Sequence, residues 1–428
     1  MTRAAENRAL AGIRVLDLTI ISAGAGATML LADMGAEVVK VESTTYPDPY
    51  RLNHIWPGGD PGADPWNRSA PFNTINRNKL GVTLDLKHPR GRELFLELVK
   101  ISDVVSENFR VGVMAGFGLD YEALRAVKAD LVMISISSQG STGPESHYGS
   151  YGSTLDTLSG LAALTGYTDG RPGWSGNTVN YPDQLANTLA AGAILTGLLR
   201  RARTGEGCHI DFSQREAITS LVGEAFLDYS FNRREPTRVG NGDRFLVPHG
   251  CYPCQGDDKW VTIAVTDEEQ WHRLCNVMGQ PELVDDPRFA HYLDRYQNSV
   301  DLDAIISEWT VARDQYEVFA LLSPEGIATG PVLGGVGVLT DPHLVARGFF
   351  ETNTHPSAGT YLIRTRPMHF SKTDGEIRLP APLLGEHNEF ILCGLLGLSK
   401  EDLVKLEGLG VIGTAPLPEE DPRRRLRG

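Results

Sequence analysis

Basic residues are scarce in this chain. Among 428 residues, 40 Lys and Arg stand against 54 Asp and Glu, a net charge of −14. Binding nucleic acid needs clustered cations, and the body of the chain has no such run, which argues against a nucleic-acid partner. The tail Arg423-Arg424-Arg425-Leu426-Arg427, following Glu419-Glu420-Asp421, reads as a solvated terminus. Cysteine is sparse too. The count of 5 is odd and the residues are scattered, which argues against a disulfide framework. Cys251-Tyr252-Pro253-Cys254 has C-x-x-C spacing, yet neither a second cysteine pair nor a His-x-x-x-His follows, so no metal is expected. Gly256-Asp257-Asp258-Lys259 reads as a turn into a strand, not the helix start that a redox motif requires. His147, His249 and His343 lie near Gly or Pro without ligand spacing. No G-x-S-x-G elbow and no P-loop occurs. The longest apolar stretch, Leu189 to Leu199, contains Gly192, Thr196 and Gly197 and is too short to span a bilayer. The N-terminus has arginines but no apolar signal core. A cytoplasmic, reduced setting without membrane contact is the expectation.

The chain is too long for one typical core, so two domains are expected. Residues 13–42 read as strand, small-residue helix and strand. Further strands are expected at Gly81–Leu86, Asp103–Ser106 and Leu131–Ser135, with a helix at Pro89–Val99 opened by proline. This alternation predicts an α/β fold, with a Rossmann-like large domain built on a mostly parallel sheet. A polar, Pro/Gly-rich loop is expected over 43–72. Beyond residue 225 the texture changes to a strand at Trp260–Val265 and helices near 268–278, 299–309 and 315–322. Asp267 and Gln270 form a capping-box pattern there. The expected division is 1–225 for the large domain, 226–335 for a smaller α/β domain, and 336–428 returning to the large one.

Two features carry chemistry. Gly24-Ala25-Gly26 and Glu42 imitate a dinucleotide fingerprint, but Met29 occupies the third glycine position and five residues separate strand from Gly24. Backbone donors there still suit a nucleotide-like ligand. Asp183 stands just ahead of a helix of small residues, with no second acid, histidine or cysteine beside it. A lone carboxylate suits covalent chemistry through that carboxylate, and an aspartate after proline equally suits a helix cap. Both readings stand at this level.

The ordered segments resemble the family III CoA-transferases of the CaiB/BaiF type, which include formyl-CoA, carnitine and benzylsuccinate CoA-transferases. The resemblance rests on Leu10 to Leu18, Leu31 to Glu42, Asn76-Arg77-Asn78-Lys79, Leu84 to Lys87 and Asp103 to Arg110. It continues through Leu158-Ser159-Gly160, Arg200 to Asp211, Asp341-Pro342-His343 and Leu384 to His387. It implies that Asp183 is the nucleophile. It implies coenzyme A contacts at Ser22 and Ala23, at Leu84, Asp85, Leu86 and Lys87, at Asn108, Phe109 and Arg110, and at Ser150, Tyr151, Gly152 and Ser153. Gly240, Asn241 and Gly242 match the loop that shields the active carboxylate, less fully than a run of glycines would. The resemblance further implies an interlocked homodimer or a heteromer with a related subunit, acyl-CoA and small carboxylic acids as substrates, and no metal. Succinyl-CoA as donor and benzylsuccinate, or another aromatic or dicarboxylic acid, as acceptor are the substrate expectations.

Two departures matter. Ser43 stands where some members carry a basic residue. Tyr151 stands where the related acyl-CoA racemases carry a histidine, and racemization needs two acid/base groups about the α-carbon. Transfer is therefore favoured over a racemase or epimerase, and over a non-catalytic CoA-binding subunit.

Overall fold

The computed structural model describes residues 8–173, 181–418 and 421. The chain divides into two compact units: Met1–Leu161, Ser175–Gly223 and Ala346–Gly428 form one, and Ala162–Trp174 with Glu224–Val345 form the other. The division anticipated from sequence falls at 225 and 335.

Six strands build the first unit: β1 (Arg14–Asp17), β2 (Glu37–Glu42), β3 (Lys79–Thr83), β4 (Val104–Glu107), β5 (Val132–Ser137) and β6 (Cys208–Ser213). They run in the order β3-β2-β1-β4-β5-β6, and every pairing is parallel. A parallel sheet is covered on both faces, so its inner strands are rich in apolar residues. Accordingly Val15, Leu16, Val38, Val39, Val104, Val105, Val132 and Ile134 are fully buried. Helix α1 (Ala25–Asp33) joins β1 to β2, and α2 (Pro89–Lys100) follows β3. Leu94, Phe95, Leu98 and Val99 form the buried stripe of α2 at the spacing an amphipathic helix requires. The strand order reverses between β1 and β4, which leaves a crevice at the carboxyl ends of those strands.

Two expectations needed correction, and one strand had not been anticipated. The third strand is Lys79–Thr83, not Gly81–Leu86. A buried lysine reads as a strand breaker, yet Lys79 Nζ is paired with Asp17 Oδ2 at 2.7 Å and the side chain is wholly enclosed. The segment 43–72 is not only loop. It holds short turns of helix at Pro49–Leu52, Pro65–Arg68 and Ala70–Ile75, each too brief for periodicity to register. Cys208–Ser213, to which the sequence reading assigned no element, is the edge strand. It alternates half-buried and exposed residues before Ser213, and a one-sided edge lacks the apolar run that marked its neighbours.

Asn76-Arg77-Asn78-Lys79 fastens the returning C-terminal segment. Arg77 pairs with Asp33 at 2.6 Å. Asn78 takes a left-handed φ of 63°, and its Oδ1 accepts from the backbones of Arg378 and Leu379 at 2.6 and 3.0 Å.

The helix that carries Asp183, α4, spans Tyr181–Thr204; α3 (Gly152–Leu158) precedes it in the chain. At 24 residues α4 is about 36 Å long. Its buried positions are small, including Ala186, Ala190, Ala191 and Gly197, so it packs closely. A Cβ on Gly197 would lie 2.9 Å from Val132 Cγ1. After α4 the chain turns through Gly205, at φ 74°, and Gly207 passes beside the backbone preceding β5. A Cβ on Gly207 would stand 2.0 Å from the Leu131 carbonyl oxygen. Backbone cannot yield as a side chain can. Gly207→Ala should lower the unfolding free energy by about 1–3 kcal/mol, read as a reduced denaturant midpoint. An unchanged midpoint would contradict this packing.

The second unit carries an antiparallel sheet in the order β7-β8-β9, from β7 (His249–Pro253), β8 (Trp260–Ala264) and β9 (Ala328–Pro331). Helices α5 (Glu268–Met278), α6 (Ser299–Val311) and α7 (Gln315–Leu322) cover it around Trp271, Leu302, Ile306 and Val318. Asp267 Oδ1 caps the Gln270 N–H at 2.8 Å, while the Gln270 side chain accepts from Thr266 N at 2.9 Å, so the reciprocal bond falls one residue earlier than in a standard capping box. Cys251 lies within β7 and Cys254 in the turn toward β8, where its N–H donates to Lys259 O at 2.7 Å. In the first unit, β10 (Phe350–His355) and β11 (Gly359–Arg364) form a separate hairpin.

Candidate active site

A cavity of about 850 Å³ opens at the crevice of the first unit. It receives the segments that leave β1, β2, β3, β4 and β5 at their carboxyl ends, together with Asp183 and Gln214. Leu18, Val41, Leu84, Phe109, Val113 and Phe117 supply apolar wall, and Lys87 and Arg110 supply cations. Both cations are exposed, as befits groups that would meet a phosphate-bearing ligand from solvent. Size and lining suit a sizeable small molecule with an apolar body and a charged end.

Most residues singled out from the sequence line this space: Ala23, Leu84, Asp85, Leu86, Lys87, Asn108, Phe109, Arg110, Ser150, Tyr151, Gly152 and Asp183. Ser22 and Ser153 do not. Ser22 is buried, and its Oγ accepts from Gln184 Nε2 at 3.2 Å. Ser153 is half-buried in α3. Gly240, Asn241 and Gly242 belong to the second unit. There Gly240 N donates to Gly166 O at 3.2 Å, and Asn241 O lies 2.8 Å from His249 Nδ1. Lining residues that carried no motif in the sequence are Tyr46, Asp48, Leu52 and Tyr148, and His147, set aside there for want of ligand spacing, borders the space as well.

Asp183 is 6% exposed. It is not ahead of the helix but inside its first turn, after Pro182. Proline is tolerated there because the first N–H groups lack intrahelical partners. The same turn carries the positive end of the helix dipole, which favours an ionised carboxylate. The next turn fixes the loop between β1 and α1: Asn187 Oδ1 accepts from Gly24 N at 2.8 Å. Gly26 lies so close that a Cβ would stand 2.4 Å from Asn187 Nδ2. The glycines of the imitated fingerprint thus admit helix α4, and Glu42 is held by Arg51 at 2.8 Å.

Asn108 works on the same loop. Its Oδ1 accepts from Ile20 N at 2.8 Å, and its Nδ2 donates to Ile20 O at 2.8 Å and Ala23 O at 2.6 Å. Glu107 accepts from Phe109 N at 2.8 Å, and burial pushes its carboxyl above the usual range. Arg110 packs on Gly149, where a Cβ would come within 2.8 Å of its Nε. Tyr151 leads into α3, its N–H donating to Thr154 Oγ1 at 3.0 Å, and it is 73% exposed.

A buried ionic layer of Asp17, Lys79, Lys40, Asp48, Glu42 and Arg51 adjoins the cavity, and Glu42 and Asp48 are part of its lining. Burial alone would raise Asp17, but Lys79 and Lys40 hold it below the ordinary aspartate range. Burial draws Lys79 down to about 8 against the pull of Asp17. Among the described residues, no group of three or more His, Cys, Asp or Glu is arranged to hold a metal ion. No helix among them is long and apolar enough to cross a membrane.

Known proteins share this architecture. The chain is 34% identical over 407 residues to the succinyl-CoA–D-citramalate CoA-transferase of Chloroflexus aurantiacus, covering 95% of this chain and 98% of that protein. It is 33% identical to the succinate–glutarate CoA-transferase of Agrobacterium fabrum, over 90% and 95% of the two chains. It spans 49% of a probable CoA-transferase, Rv1866, from Mycobacterium tuberculosis, at 32% identity. The crystal structure of a CAIB/BAIF family protein from Brucella suis superposes with a TM-score of 0.82 at 31% identity, covering 91% of this chain and all of that one. The pattern of CoA-transferase family III matches residues 10–388, and the chain belongs to that family.

Proposed function

We propose that this protein transfers CoA from succinyl-CoA to a dicarboxylic acid through a thioester on Asp183. The observation that carries the proposal is a buried carboxylate at a helix N-terminal turn, bordering a cavity with an apolar body and two exposed cations. Lys87 and Arg110 suit the phosphates of CoA. Ala23, Leu84, Asp85, Leu86, Asn108, Phe109, Ser150, Tyr151 and Gly152 frame its path, with Ser22 and Ser153 next to Ala23 and Gly152 in the chain. Gly240, Asn241 and Gly242 are proposed to shield the active carboxylate. CoA enters as substrate, so no resident cofactor is invoked.

The steps balance without ATP. A carboxylate oxygen of Asp183 attacks the donor thioester carbonyl, the C–S bond breaks, and a mixed anhydride and CoA thiolate form. The thiolate attacks the aspartyl carbonyl, which releases the donor acid and leaves an aspartyl-CoA thioester. The acceptor carboxylate attacks that thioester and again frees the thiolate. The thiolate then attacks the acceptor acyl carbon and regenerates Asp183. The protein contributes position, exclusion of water and backbone donors toward the developing oxyanions. No second acid/base group is needed, which fits an exposed tyrosine at 151. An interlocked pair of subunits is the proposed assembly.

The dicarboxylic acceptor draws support from the citramalate and glutarate enzymes named above. A panel of succinate, glutarate, citramalate, oxalate, benzylsuccinate and benzoate against succinyl-CoA, acetyl-CoA and formyl-CoA tests it. At least one dicarboxylate should accept CoA with kcat/KM about tenfold or more above benzoate, the margin worth ~1.4 kcal/mol that a fitted second carboxylate readily supplies. Transfer from no donor to any acid defeats the proposal. α-Proton exchange of a 2-methylacyl-CoA without an acceptor would instead favour the racemase.

A further inference from the structure

The loop from Leu18 to Gly24 borders the cavity through Leu18, Ile20, Ile21 and Ala23 without regular structure of its own. A loop of this kind keeps one shape only where its neighbours over-determine it. On one side Gln184 and Asn187 of α4 hold Ser22 and Gly24. On the other side is Asp48, which is 1% exposed and reaches the loop from the segment after β2. Its Oδ1 accepts from Ile21 N and Tyr50 N, both at 2.9 Å. Its Oδ2 lies 3.2 Å from Lys40 Nζ, and Lys40 in turn donates to Thr19 O. Ile21 has φ 61°, the left-handed region that a β-branched residue avoids. Its amide is the one that Asp48 grips.

Resting on the function proposed above, we infer that Asp48 is a positioning residue for the transfer. With Lys40 it holds Ile21 in the left-handed conformation and so sets the loop against the helical turn that bears Asp183. Asparagine cannot replace it. With Oδ1 on the Ile21 and Tyr50 amides, an asparagine would turn Nδ2, a donor, toward the Lys40 ammonium. Flipped, it would set a donor against two donors. Removing the Lys40 charge lifts that conflict.

The test compares Asp48→Asn, Lys40→Met and the double variant. Two readouts are used: hydroxylamine-trapped Asp183 per folded molecule with succinyl-CoA, and hydrogen exchange at the Ile21 amide. Asp48→Asn should slow trapping about tenfold while the dissociation constant for CoA moves less than about threefold, since misplacing a reacting group costs rate more than affinity. Exchange at Ile21 should rise. The double variant should trap faster than either single variant, the non-additivity of a coupled pair. If Asp48→Asn yields no folded protein, the double variant, which buries no lone charge, should fold and trap within about threefold of wild type. The inference is overturned if Asp48→Asn leaves trapping and Ile21 exchange at wild-type values, if losses merely add in the double variant, or if a lower folded fraction accounts for all of them. A wild-type chain that transfers CoA between no pair of acids would defeat the functional reading instead, and Ile21 exchange would still decide what Asp48 holds.

Discussion

Asp183→Ala should reduce CoA transfer by roughly 10⁴- to 10⁶-fold, the range expected when a nucleophile is removed from a covalent route. CoA affinity should stay within a few-fold, because Lys87, Arg110 and the apolar wall are untouched. The fold should survive as well. Asp183 is one buried acidic group in the first turn of a helix of 24 residues, and the interaction of such a group with the helix dipole is worth up to about 2 kcal/mol. Asp183→Asn keeps the shape and should be equally inactive, since an amide does not attack a thioester. Steady-state rates together with calorimetric CoA binding make the check. A variant that loses binding and rate in parallel would assign Asp183 a structural part, the helix-cap reading left open at the outset.

Glu42→Gln should destabilise the protein by about 3–5 kcal/mol at neutral pH, the cost of breaking a buried pair from one side. Arg51 meets Glu42 through Nε at 2.9 and 3.1 Å and Nη2 at 2.8 Å, with side-chain exposures of 0% and 2%. Arg51 also donates to Asn67 Oδ1 and Pro382 O, both at 3.0 Å, so its charge cannot swing out to water without breaking those bonds. The pH dependence follows from the direction of the shift. Burial alone would raise Glu42, but Arg51, joined by Lys40 and the Asp48 amide, outweighs it and the carboxyl lies below the ordinary glutamate value of 4.5. A depressed folded value means that the contribution is complete above pH 4.5 and is lost as pH falls through the lower value. The gap between wild type and Glu42→Gln should therefore be widest near neutrality and narrow below that point. Urea midpoints at pH 7 and at pH 3.5–4 measure it, and a gap that widens in acid would contradict the assignment.

The sheet was readable because parallel strands, enclosed on both faces, leave unbroken apolar runs such as Val104-Val105 and Val38-Val39. Lys79 hid the true start of β3, since only its pairing with Asp17 makes a buried lysine tolerable. The edge strand β6 and the short turns of 43–72 lacked any run long enough to show. Asp183 could be singled out by its isolation among small residues, but nothing local distinguished nucleophile from cap. Asp48 was invisible. Its role depends on Ile21 and Lys40, which come near it only once β2 lies beside β1. Asn108 was picked out by resemblance as a ligand contact; that its amide also holds the Ile20 and Ala23 backbone depends on the fold and could not be read from the sequence.

The covalent role of Asp183 is tested most directly by trapping. The wild-type protein is mixed with succinyl-CoA in the absence of any acceptor acid, treated with hydroxylamine, digested and analysed by mass spectrometry. An aspartyl hydroxamate at Asp183 that depends on acyl-CoA and disappears in Asp183→Asn is the predicted result. An unmodified Asp183 peptide from a preparation that transfers CoA at full rate would contradict it.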